Sequence, residues 1–348
     1  MIEIHNLIDK PLKILIMRLS ALGDIVNLTV IFSKIREKYP HAEIHFLTKT
    51  QFQDIVNPNN YGIKIISFDS SKGLRGWLEI CADLKKEKYD WFLDMHNNIR
   101  SRILGLYLSK VKGKKFVKPR IRRLLLFYFL INCFSKKFNL ISEYLKVLKI
   151  LGIDSNYGYT EIKLRDSVIQ KSKDILKSVG IKKDFVVILP IAAWKNKRYD
   201  LNRYLQLSEK IVSEYKMQVV WLGGKSDEYL NEINIKNEQI IKMLGQTILM
   251  ESMAILKQAK FVIGNDTGLI YASQALGTPS LIIEGPTSRE TGAGHCQNGS
   301  KVLETTLWCR PCSQKGDRKC YRTKQHCLDF TVKEVYSVFN QIVTGENQ

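Results

Sequence analysis

Short runs of continuous apolar residues alternate along this chain with longer stretches whose apolar positions recur every three or four residues. The first run, Lys13 to Met17, ends at the turn-prone residues Ser20 to Asp24. Beyond it Val26, Val30, Ile31 and Ile35 fall at helical spacing up to Tyr39-Pro40. A buried strand, a loop and a helix are the elements this pattern predicts. Glu43 to Leu47, Lys64 to Phe68 and Trp91 to Asp94 read as further strands, with a helix around Trp77 to Glu87. After a less regular stretch to about Ile181 the alternation restarts. Strands are predicted at Phe185 to Leu189, Gln218 to Leu222, Phe261 to Ile263 and Ser280 to Ile283, with a helix over Leu201 to Tyr215. Strands that alternate with helices argue for parallel sheets covered by helices. No fixed-period repeat is present, which disfavours a solenoid.

The length of 348 residues suits two domains of about 150 residues each. The expected division is 1–170, 171–330 and a carboxyl-terminal helix in 331–348 that packs back on the first domain. No apolar stretch is long enough to span a bilayer. Met1 to Leu19 carries Lys10 and Lys13 beside a short apolar run and lacks a small-residue cleavage site, so it does not read as a signal peptide. A cytoplasmic protein with reduced thiols, Cys81 and Cys133 among them, is the expectation.

The net charge of +20 requires an acidic partner. Nucleic acid, a phosphorylated glycolipid surface and a nucleotide-bearing small molecule all meet that demand. Between Lys110 and Phe138 there are ten Lys or Arg and no Asp or Glu, around the apolar run Leu124 to Phe134. Such a segment suits the headgroup region of an anionic membrane; a core helix flanked by solvated charges is the alternative.

Three loops follow predicted strands, where open α/β sheets place their ligands. Asp24, in Leu19-Ser20-Ala21-Leu22-Gly23-Asp24, suits a base that takes a proton from an attacking hydroxyl, or else caps its helix. Lys195, Lys197 and Arg198 crowd Pro190 to Tyr199, where cations stabilise a departing diphosphate or form an ordinary basic turn. Asn265-Asp266-Thr267-Gly268 joins a strand to a helix, a ready anion site on free amides and the positive helix end.

With these loops in place the sequence resembles glycosyltransferase family nine, the heptosyltransferases of lipopolysaccharide core synthesis. The family's R-x-S-x-L-G-D pattern stands here as Arg18 to Asp24, its D-x-H-x-x-x-R-S stretch as Asp94 to Ser101, and its K-R-W loop as Lys197-Arg198-Tyr199. Gly223-Gly224 with Glu228, the N-D-[ST]-G element at Asn265 to Gly268, Ala275 to Pro279 and Gly285-Pro286-Thr287 complete the set. The resemblance implies a GT-B fold, two Rossmann-like lobes with parallel sheets facing across an interdomain cleft. It further implies an ADP-heptose type donor in the carboxyl-terminal lobe and an anionic lipid-linked acceptor in the amino-terminal lobe, at the inner face of the cytoplasmic membrane. Transfer then inverts the anomeric carbon without a catalytic metal, and no nucleic acid is expected. By the same resemblance Asp24 is the base and Lys197 neutralises the leaving diphosphate. Ala193, Gly224, Glu228, Asp266, Thr267 and Gly268 contact the donor, and Ser20, Gly23, His96 and Arg100 the acceptor. The chain departs from the family at Tyr271 (often His), Tyr199 (Trp), Asn97 (Gly) and Ala192 (Gly), changes that bear on the donor sugar more than on the reaction.

Cys309, Cys312, Cys320 and Cys327 form C-x2-C-x7-C-x6-C. Four thiolates at this spacing suit a tetrahedral structural site for Zn²⁺ or iron; reduced, metal-free thiols are the alternative. Two other functions compete with sugar transfer: a nucleotide-sugar epimerase of similar two-lobed shape, and a non-enzymatic basic protein bound to membrane or nucleic acid.

Overall fold

The computed structural model describes residues 11–56 and 61–345. The amino-terminal stretch up to residue 10, read above for targeting signals, and the tail 346–348 of the last predicted helix lie outside the described residues.

Two all-parallel sheets form the framework. The first contains β1 (Lys13–Met17), β2 (Glu43–Lys49), β3 (Ile63–Phe68), β4 (Trp91–Asp94) and β5 (Lys112–Lys115), in the order β3-β2-β1-β4-β5. The second contains β6 (Phe185–Leu189), β7 (Gln218–Gly223), β8 (Ile240–Leu244), β9 (Phe261–Asn265), β10 (Ser280–Ile283) and β11 (Lys301–Leu303), in the order β11-β10-β9-β6-β7-β8. Helices α1 (Leu22–Lys38), α2 (Gly73–Lys86), α3 (Ile99–Tyr107), α4 (Arg120–Phe129) and α5 (Leu140–Leu145) belong to the first half of the chain. Helices α6 (Asp166–Ser178), α7 (Leu201–Tyr215), α8 (Leu249–Gln258), α9 (Gly268–Ala275) and α10 (Val332–Thr344) belong to the second. Strands β6 and β9 are buried at every position, which is why they read as unbroken apolar runs: helices cover both faces.

The strand orders decide where a ligand can sit. In the first sheet the winding reverses between β1 and β4, paired in parallel through Leu15 and Phe92. In the second it reverses between β6 and β9, paired through Val187 and Val262. At such a reversal the outgoing loops diverge and leave a crevice beyond the carboxyl ends. The crevice of the first lobe is bordered by the loop from Arg18 to Ala21 with the first turn of α1, and by the loop following Asp94; that of the second is bordered by the loops after Leu189 and Asn265.

Helices α1 and α9 then bring the two crevices together. A Cβ on Gly268 would lie 2.7 Å from Leu22 Cβ, and one on Gly23 would lie 3.2 Å from the Tyr271 ring. Two helix beginnings approach this closely because neither position carries a side chain.

The division of the chain differs from expectation in two places. Helix α6 packs on the second lobe, with Lys171 pairing with Glu251 at 2.7 Å and Gln258 Nε2 donating to Ser172 at 2.5 Å. The crossing therefore precedes Asp166 and not residue 170. Helix α10 does not pack back on the first domain. Its buried Val335 and Phe339 lie four residues apart on one face, and Phe339 meets Phe261 of β9 at 5.1 Å and Tyr215 of α7 at 5.4 Å. That aromatic stripe finds its complement on the second sheet.

The basic segment folds as β5, α4 and the loop to α5. Helix α4 buries Leu126 and Phe127 but exposes Ile121, Leu124, Tyr128 and Phe129. Among the described residues no helix is long and apolar enough to cross a membrane.

Candidate active site

Arg18 is the first residue beyond β1, and its buried guanidinium organises the loop that follows. Nε donates to the Ser20 carbonyl at 2.7 Å, Nη1 to the Met95 carbonyl at 2.5 Å, and Nη2 pairs with Asp24. Asp24 lies in the first turn of α1. Its Oδ2 also accepts from the Ala21 amide at 3.2 Å, so it does cap the helix, and its Oδ1 accepts from the Tyr144 hydroxyl of α5 at 3.2 Å. Burial alone would raise the pKa of this carboxyl. The Arg18 charge, the Ala21 amide and the Tyr144 hydroxyl override that effect and hold it below the ordinary carboxylate range. A third of the side chain, 34%, stays exposed.

Opposite stands a second carboxylate, Asp266, just past β9. Lys197 Nζ approaches its Oδ2 to 2.5 Å, Thr287 donates to Oδ2 at 2.8 Å and Tyr271 to Oδ1 at 2.7 Å. Burial opposes the charge on Asp266, but Lys197 and these hydrogen bonds keep its pKa lowered. Asn265 fastens the two loops of this lobe together. It accepts from the Tyr199 amide at 2.8 Å and donates to the Pro190 carbonyl at 2.9 Å. Thr267, which begins α9, has a buried Oγ1 without a partner, beside the free amides of the first helical turn.

One cavity of about 400 Å³ joins the two sides. Gly23 and Asp24 line it from the first lobe, and Ala193, Lys197, Asp266, Thr267 and Gly268 from the second. Seven of the residues singled out in the sequence thus meet in one place. Ser20, His96, Arg100, Gly224 and Glu228 are not among its lining. Ser20 lends its carbonyl to Arg18. His96 is pushed down to about 4 by burial and by the Arg18 and Lys118 charges, and its Nδ1 is buried without a partner. Arg100 lies over the Phe68 ring at 5.7 Å. Gly224 and Glu228 are exposed at the carboxyl end of β7.

Tyr271, noted above as a departure from the family, and Trp194 of the Pro190 to Tyr199 loop also line the cavity, together with three residues that the sequence did not single out: Asn27, Gln314 and Lys315. Asn27 lies three residues beyond Asp24, hence on the same helix face, and that spacing was an available signal. Gln314 and Lys315 arrive from the segment between Cys312 and Cys320, whose cysteine spacing says nothing of a place in this cavity.

Cys309, Cys312, Cys320 and Cys327 line a separate small cavity of about 20 Å³, enough for one water-sized occupant. No three of the sulfurs lie mutually within 4.8 Å, for among the described residues only Glu43, His45 and Glu87 form such a group. Burial pushes the Cys312 thiol up to about 11 and raises that of Cys327. The four residues share a pocket without closing a coordination sphere.

Two lobes, each a parallel sheet covered by helices, with a cavity between them are the frame of a GT-B glycosyltransferase. The chain belongs to glycosyltransferase family 9 (heptosyltransferase), whose family model matches residues 77–321. It is 25% identical over 312 residues to lipopolysaccharide heptosyltransferase 1 of Campylobacter coli, covering 84% of this chain and 90% of that one. In three dimensions it resembles a family 9 glycosyl transferase from Veillonella parvula, with a TM-score of 0.78 at 16% identity over 98% of this chain and 100% of that chain. It also resembles an E. coli heptosyltransferase solved with ADP-2-deoxy-2-fluoro heptose, with a TM-score of 0.65 at 16% identity over 95% and 99% of the two chains. The chain is accordingly a glycosyltransferase and not a nucleotide-sugar epimerase or a non-enzymatic basic protein.

Proposed function

We propose that this enzyme transfers a heptose from an ADP-linked donor to an anionic acceptor of the lipopolysaccharide core, inverting the anomeric carbon without a catalytic metal. The observation that carries the reading is the single cavity that Asp24 enters from one lobe and the Asp266-Thr267-Gly268 turn from the other. An acceptor hydroxyl attacks the anomeric carbon while its proton passes to Asp24. The bond from that carbon to the diphosphate oxygen breaks, and ADP leaves with the electron pair. The growing charge is met by Lys197 and the α9 amides. One displacement between a base on one side and a leaving group on the other inverts the centre. Arg18 and Lys197 already engage the two carboxylates, so neither is a free ligand for a metal, and the diphosphate charge falls to cations and helix amides. Gly224 and Glu228, exposed past the end of β7, are assigned to the nucleoside, and His96 and Arg100 to the acceptor.

The ADP assignment draws on the E. coli neighbour solved with ADP-2-deoxy-2-fluoro heptose. Titration with ADP, UDP and GDP tests it: ADP is expected to bind best, and preference for UDP or GDP assigns a different donor. A cytoplasmic site of action at the inner membrane face belongs to the same proposal. It is supported by the exposed Ile121, Leu124, Tyr128 and Phe129 on a helix that also carries Arg120 and Arg122. A structural Zn²⁺ or iron ion held by Cys309, Cys312, Cys320 and Cys327 is a further part, supported by four thiols that line one small cavity; binding it requires the sulfurs to draw together from their present positions. Such an ion braces the loop and takes no part in sugar transfer. About one metal per chain in purified protein, lost in Cys312→Ser, is expected; a purified, folded protein without metal contradicts it.

A further inference from the structure

The charged side chains of the proposed donor site are largely committed to one another. Asp24 is tied to Arg18, and Lys197 to Asp266. A diphosphate carries about two negative charges, whereas a helix beginning offers the equivalent of about half a positive one. Lys197, shared with a buried carboxylate, supplies only part of the countercharge. The remaining cation on the cavity wall is Lys315, an exposed residue with no ion-pair partner among the described residues.

The placement of Lys315 is well determined by its neighbours. The Gly316 amide donates to Ser313 Oγ at 2.7 Å, and a Cβ on Gly316 would come within 2.8 Å of Lys197 Cγ. The turn therefore lies directly on the Lys197 side chain. Gln314 Nε2 donates to the Thr291 carbonyl at 2.7 Å, which fixes the carboxamide and leaves its buried Oε1 without a partner. Farther along, Arg318 and Tyr321 hold the Phe127 carbonyl of α4 at 3.0 and 3.1 Å. The segment between Cys312 and Cys320 is thus fastened to both lobes, with one free ammonium and one free acceptor at the donor cavity.

We propose that Gln314 and Lys315 form a donor-binding element: the Lys315 ammonium pairs with the diphosphate, and Gln314 Oε1 accepts a hydrogen bond from a donor hydroxyl. The inference rests on the cavity being the nucleoside-diphosphate site. Calorimetric titration of ADP into the full-length wild type, Lys315→Gln, Lys315→Arg and Lys319→Gln, at two salt concentrations, tests it. Loss of a charge-assisted hydrogen bond is expected to raise the Kd for ADP about tenfold in Lys315→Gln and to flatten its salt dependence. Lys315→Arg should regain most of the affinity, and Lys319→Gln, an exposed lysine on the same segment, should match wild type. Equal ADP affinity in wild type and Lys315→Gln overturns the element while leaving the donor site intact. Failure of wild type to bind ADP overturns both. Unchanged melting of the variants confirms that they are folded.

Discussion

Tyr144 reaches Asp24 from 120 positions farther along the chain, and it tunes the carboxylate proposed as the base. Its hydroxyl stabilises the ionised carboxylate, so Tyr144→Phe should move the acid limb of kcat/KM to higher pH, by roughly half a unit to one unit. Activity near neutrality should change little because Asp24 remains ionised there. An unmoved limb would remove Tyr144 from the control of the base. Asp24 and Asp266 both titrate below their unfolded values. Their contribution to stability is therefore full above the unfolded carboxylate range and is lost as the pH falls through their folded pKa values. Asp266→Ala leaves Lys197, with 14% of its side chain exposed, as an uncompensated buried cation. It should cost about 3 kcal/mol in urea unfolding near neutral pH, with the deficit shrinking in acid; equal stability at neutral pH would contradict the pairing. Asp24, Lys197 and Asp266 were legible because each lies one loop beyond an apolar strand. Tyr144, Gln314 and Lys315 were not, because their contacts are made only when remote segments fold together.

The strands and principal helices were legible as elements because burial on both faces writes an unbroken apolar run, and burial on one face writes a period near 3.6. Their partners were less so. The stripe of Val335 and Phe339 marks α10 as amphipathic but does not say which sheet receives it. Phe339→Ala should destabilise the protein by about 3 kcal/mol or more, because it empties the contact with Phe261 and Tyr215. If unfolding is unaffected, the helix is not docked there. The joint between α1 and α9 was equally hidden, since Gly268 reads as part of an anion-binding turn while its second role is to let Leu22 approach. Gly268→Ala places a methyl 2.7 Å from Leu22 Cβ. It should lower both the melting temperature and ADP affinity, whereas a change in neither would show that the helices do not meet as described.

On the scale of the whole molecule, the +20 charge and the basic, apolar α4 act together. Cosedimentation with anionic vesicles should weaken as salt rises and fall further in Ile121→Ser/Leu124→Ser, while binding that ignores both changes would argue against this surface. Charge alone left nucleic acid, membrane and nucleotide open as partners. The packing of α1 on α9 brings the loops of both winding reversals to one cavity, which suits a nucleotide-bearing small molecule as one partner. The account depends most on a base supplied by one lobe and a diphosphate cradle supplied by the other. Single-turnover transfer from ADP-heptose by Asp24→Ala, measured beside its affinity for ADP, tests that directly. The rate should fall about a hundredfold or more with ADP affinity unchanged; transfer at the wild-type rate would contradict it.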